Sequence, residues 1–111
     1  MKKFIPLLLL AGCASPSELR TQPPDLVAQT SRPPQAVAAC ITDAWDHIKV
    51  LGLNAEYSMR PLDNGLSLLI GNGTGQPSLL VDIRPGSLKG YTGSMGIMRG
   101  DDFLAAARGC A

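Results

Sequence analysis

Charge, aromatic rings and histidine are all scarce in this chain. Of its 111 residues, 17% are Asp, Glu, Lys or Arg, 5% are Phe, Trp or Tyr, and one is His. Apart from Lys2-Lys3 the basic residues stand singly, and Phe4, Trp45, Tyr57, Tyr91 and Phe103 are spread along the chain. Neither a basic stripe nor a stacking platform results, which argues against nucleic acid as a partner. The three cysteines form no CxxC pair, and with His47 as the lone imidazole any zinc site is short of ligands. Neither metal nor cofactor is expected. No apolar run approaches the roughly 20 residues a membrane-crossing helix needs. A chain this short has room for one small domain.

What is present starts at the amino terminus. Met1-Lys2-Lys3 is a charged start, Phe4 to Leu10 is a short apolar run broken by Pro6, and Ala11-Gly12 supplies small residues, the layout of an export signal. Leu10-Ala11-Gly12-Cys13 resembles the lipobox of bacterial lipoprotein precursors at all four positions. The resemblance implies removal of residues 1–12 and a diacylglyceryl thioether on Cys13, often with a third acyl chain such as palmitate on its new amino group. The membrane is then a partner, because two or more acyl chains hold firmly where one holds marginally. Ala14 stands where inner-membrane lipoproteins of enteric bacteria usually carry Asp, so the resemblance points to the outer membrane, with the domain in the periplasm. Without Lys2 and Lys3 the mature chain has eight basic and nine acidic residues and is close to neutral.

The next segment, residues 13–34, is rich in Pro, Ser, Gln and Thr and reads as a tether reaching on the order of 60 Å when stretched. Leu26 and Val27 are its candidates for packing on the domain.

Residues 35–111 read as the globular domain. Pro33-Pro34 opens a helix where proline is tolerated. Val37, Ile41, Ala44, Ile48 and Leu51 recur at helical spacing, and Gly52 stops the pattern. Ala55, Tyr57 and Met59 alternate with polar residues, and Leu66 to Ile70 follows Asp63-Asn64-Gly65, a hairpin in which Asn-Gly suits a type I′ turn while Pro61 suggests a longer loop. Leu79 to Arg84 forms a third strand, and Pro85-Gly86 turns into a weaker fourth over Ser87 to Thr92, interrupted by Gly90. Asp101 or Asp102 caps a last helix with Phe103, Leu104, Ala107 and Cys110 along one side. The expected fold is α+β: a two-layer sandwich, α-β-β-β-(β)-α, with an antiparallel sheet of three or four strands and both helices on one face.

With Cys13 lipidated, Cys40 and Cys110 remain as an even pair in an exported protein, and their places on the buried sides of the two helices predict a disulfide. Closing a loop of about 70 residues stabilises by roughly 4 kcal/mol in the chain-entropy model.

Chemistry is thinly represented. His47 has Asp43 four residues earlier, a pairing open to a weak hydrolase of envelope polymers and equally natural for a solvated helix surface. Gly71 to Gly75 resembles a phosphate loop only in glycine content, since it leads through Pro77 to a strand where a helix is required. Asn72-Gly73-Thr74 fits the glycosylation triplet, which carries little meaning in a bacterial lipoprotein. Tyr91, Ser94, Met95, Ile97 and Met98 form the candidate partner-binding loop, because methionine-bearing turns adapt to partners. The expected role is a non-enzymatic envelope accessory or interaction module that binds an envelope protein. General resemblance in size and layout leaves open an exclusion lipoprotein of prophage or plasmid type that blocks a surface receptor. A phage outer-membrane spanin, which shares a lipobox and proline-rich sequence, is the further alternative.

Overall fold

The computed structural model of the protein describes residues 16–71, 77–93 and 99–111. Their order is α1 (Pro16–Leu19), β1 (Leu26–Gln29), α2 (Pro34–Trp45), β2 (Lys49–Val50), β3 (Leu53–Asn54), β4 (Tyr57–Leu62), β5 (Gly65–Gly71), β6 (Pro77–Arg84), β7 (Ser87–Thr92) and α3 (Gly100–Gly109). The class is α+β, as the periodicities indicate. Five antiparallel strands lie in the order β1-β7-β6-β5-β4. Helices α2 and α3 cover one face.

Alternation along the strands builds two apolar layers. Leu68, Ile70, Leu79, Val81, Ile83 and Leu88 point to the helix side and meet Val37, Ala38, Ile41 and Trp45 of α2 and Phe103 and Ala107 of α3. Trp45 donates from Nε1 to the Phe103 carbonyl at 2.9 Å and makes edge contacts with Phe103 and Tyr57, joining both helices to the β4 edge. On the opposite, outer face, Leu69, Leu80 and Tyr91 cluster under Leu19. Gly90 sits on the helix side because a Cβ there would stand 2.7 Å from the Leu104 side chain and 3.2 Å from Leu26. The interruption noted in the sequence is the place where α3 packs closest to the sheet.

Two expectations are corrected. The tether reading fails over residues 16–29: α1 buries Leu19 against the outer face, and Leu26 to Gln29 pair with Gly90 to Ser87 as an edge strand. Asp25 secures the crossing by accepting from the Thr92 amide at 2.9 Å and the Thr92 hydroxyl at 2.7 Å. The domain thus starts well before residue 35, and the sheet has five strands. The first helix also stops at Trp45, before the last turn its spacing suggests. Ile48 and Leu51 fall beyond it, and the chain makes the two-residue hairpin β2–β3.

The turns also differ in detail. The β4–β5 connection is the pair Asp63-Asn64, neither with positive φ, with Pro61 accommodated on the β4 edge strand. Among the described residues positive φ falls at Leu51-Gly52, at 55° and 81°, at Arg99, at 60° before α3, and at Gly86, at 84°, where Pro85-Gly86 fits a type II turn. Helix α3 starts after Arg99, so Asp101 and Asp102 lie inside its first turn and cap no amide with a side chain. They still oppose the helix dipole there.

Candidate functional site

Of the residues singled out in the sequence, the described part of the fold brings Cys40 and Cys110 together. Cys13, the 72–76 loop and Ser94, Met95, Ile97 and Met98 lie outside the described residues. Tyr91 is described and is not a surface handle: it is buried on β7 beneath Leu19, where burial raises its pKa and the nearby Asp82 carboxylate adds to the rise. Cys40 and Cys110 are joined, with Cα atoms 5.8 Å apart, within the span a disulfide bridges. The bond links α2 to the end of α3, and Arg32 reinforces that end by donating to the Cys110 carbonyl at 2.7 Å.

His47 does not meet a carboxylate. Its Nδ1 lies 2.9 Å from the carbonyl of Asp43 in the last turn of α2, so the hydrogen bond fixes the ring from the backbone. The nearby acid, Asp46, accepts from the Tyr57 hydroxyl at 3.1 Å. That arrangement orients a surface imidazole and leaves it without the carboxylate orienter a general base ordinarily uses.

Two features escaped the sequence reading. The first is a buried polar cluster on the outer face. Asp82 is 2% exposed and accepts from Arg20 Nε at 2.7 Å and Nη2 at 3.0 Å, while the Ser67 hydroxyl donates to it at 3.0 Å. Desolvating a carboxylate demands such partners, and the forked guanidinium supplies two parallel donors. Every one of these contacts is spoken for inside the protein. Beside the cluster, Pro16, Ser17, Arg20, Arg60, Leu62 and Leu69 line a shallow cleft of about 270 Å³ between α1 and β4–β5.

The second feature is the β2–β3 hairpin, the candidate functional site. Val50 pairs with Leu53, so Leu51 and Gly52 form the whole turn, with both φ values positive as a type I′ turn requires. Glycine adopts that geometry freely; a leucine there costs about 1 kcal/mol of backbone strain. The leucine gains nothing from burial: it is 83% exposed, and Leu53 beside it is 71% exposed. The base of the hairpin is held firmly. Lys49 Nζ donates to Asn54 Oδ1, and Arg99 bridges from Asp102, at 2.7 Å, to the Lys49 carbonyl, also at 2.7 Å. A braced support therefore holds two leucines in water.

Among the described residues no group of His, Cys, Asp or Glu is arranged to hold a metal ion, and no helix is long and apolar enough to cross a membrane. Compared with known proteins, the chain matches no family model, no curated protein and no solved structure.

Proposed function

We propose that the mature protein is a lipid-anchored envelope module, held at the outer membrane through Cys13, that acts by binding an envelope protein through the Leu51–Leu53 hairpin. The observation that carries the binding role is the tip itself. An exposed leucine in a left-handed turn position is unfavourable on two counts, backbone strain and apolar exposure, and a pocket that receives the side chain repays the second. Burying one leucine contributes about 2 kcal/mol, enough to outweigh the strain on docking. The anchor follows from the lipobox, and the disulfide accords with an oxidising compartment.

The test uses photo-crosslinking residues placed at positions 51 and 53 in cells, with position 99 at the hairpin base as a comparison. Capture of one envelope protein from 51 and 53 is expected. Leu51→Asn should abolish capture from position 53 while leaving the domain equally stable or more so, since asparagine tolerates positive φ. Capture unaffected by that substitution, or capture of lipid alone, would refute the hairpin as the binding site.

A further inference from the structure

We infer that the cations of the outer sheet face beyond the reach of α1, Arg60, Arg84 and Lys89, meet the lipid phosphates of an anionic phospholipid surface. This rests on the lipidation of Cys13 proposed above. It deepens that reading by assigning the face and the lipid chemistry.

The sheet register divides the outer face into rows. Ser58, Leu69, Leu80 and Tyr91 form one row, apolar apart from Ser58, and Leu19 of α1 covers it. The next row runs Arg60, Ser67, Asp82, Lys89 and Val27, and the one after it Leu62, Gly65, Arg84, Ser87 and Gln29. In these two rows the sole acid, Asp82, is buried and bound by Arg20, with Arg84 at 3.9 Å on its rim; Arg60 and Lys89 are exposed and Arg84 half-buried. The other acids of this side sit elsewhere: Glu18 on α1, Asp25 at the far end of the sheet bound to Thr92, and Asp63 in the β4–β5 turn. Val27, 57% exposed, adds an apolar contact at the β1 edge.

The chain reaches these same rows. Pro16 and Ser17 line the cleft beside Arg60 and Leu62, and Cys13 precedes Pro16 by three residues, a span of about 10 Å at full extension. An acylated Cys13 thus has its bilayer within reach of the cationic rows. Each cation brought near an anionic leaflet strengthens association by about fivefold at moderate ionic strength. Three cations and a short anchor select one orientation of the domain.

Once residues 1–12 are removed, Lys49 and Lys89 are the chain's two lysines, one on the hairpin and one on the outer face. That permits an internal comparison. The mature protein, purified from envelopes, is placed in phosphatidylcholine vesicles with or without phosphatidylglycerol and exposed to a water-soluble amine-acetylating reagent, with both lysines followed by mass spectrometry. Lys89 is expected to react about tenfold more slowly than Lys49 only where phosphatidylglycerol is present. The double variant Arg60→Gln/Arg84→Gln should return Lys89 to the rate seen without it. Equal rates for the two lysines in an anionic vesicle, or equal protection of Lys89 in both vesicles, would overturn the inference alone, provided the intact mass shows the lipid. An intact mass without acyl groups would overturn the anchoring itself.

Discussion

Replacing Arg20 by Met tests whether the segment from α1 to β1 belongs to the fold. Methionine keeps an apolar stem beside Leu19 and removes only the guanidinium. Asp82, 2% exposed in the intact protein, is then left with Ser67 as its one close donor, because Arg84 stands 3.9 Å away. Breaking a fully buried ion pair costs about 3–5 kcal/mol. The Arg20 side chain is 29% exposed, so solvent screens part of the interaction, and Arg84 can move in to compensate. The expected loss is about 2–3 kcal/mol, a sizeable share of the stability of a domain this small. In urea unfolding followed by circular dichroism this appears as a midpoint lowered by about 1–2 M. The companion variant Asp82→Asn leaves a cation that can turn to water, so it should cost less, and the double variant should recover part of the Arg20→Met loss. Were residues 16–25 a free tether, Arg20→Met would shift stability by no more than about 0.5 kcal/mol, as surface substitutions do, and that result would refute the argument.

The Cys40–Cys110 bond closes a loop with a sequence separation of 70, so replacing both cysteines by alanine should lower stability by roughly 4 kcal/mol. A thermal melt of the double-alanine protein that overlays the oxidised parent would contradict this. The tyrosines give a pH dependence. Burial is the leading cause that raises both Tyr57 and Tyr91 above the ordinary value of 10.0, so the folded state holds these protons more tightly than the unfolded chain. Their contribution is complete below pH 10 and is lost as pH rises through the folded values. Tyr57→Phe/Tyr91→Phe should accordingly flatten the alkaline fall in stability; absorbance titration showing both native tyrosines ionised by pH 10 would exclude it.

The parts of the fold that were legible in the sequence are those where one residue spacing decides one buried face. Val37 and Ile41 on α2, Leu79, Val81 and Ile83 on β6, and Phe103 and Ala107 on α3 are buried on the helix-side core as their periods require. The misread parts involve contacts between distant residues. Strand β1 has no alternation strong enough to register, and its pairing with β7 is made some 60 residues away by backbone atoms and the Asp25–Thr92 contact. The end of α2 was misjudged because Ile48 and Leu51 continue its spacing. Past Trp45, whose indole is fixed by Phe103 and Tyr57, the chain leaves the helix through a turn at Asp46 and His47 and enters β2. Gly52 did carry a usable signal. A glycine flanked by apolar residues serves a hairpin turn as well as a helix end, and only the exposure of Leu51 distinguishes the two.

The corrected amino-terminal segment changes what anchoring does. A tether of about 60 Å would let the domain tumble and present every surface in turn. Under the proposed anchoring, with folding under way at Pro16, an acylated Cys13 would instead hold the outer sheet face toward the lipid. Ile48 and Val50, at the base of the β2–β3 hairpin, pack against the helix-side core, and Arg99 ties that base to the start of α3. On this reading the hairpin base lies on the face away from the anchoring membrane, and a partner would meet the exposed leucines without competition from the lipid. An apolar tip on the lipid side would partition into the bilayer and be lost to protein partners. Under the two proposals the cations belong to the outer face while the hairpin base packs against the helix-side core, so lipid and protein would not compete for one surface.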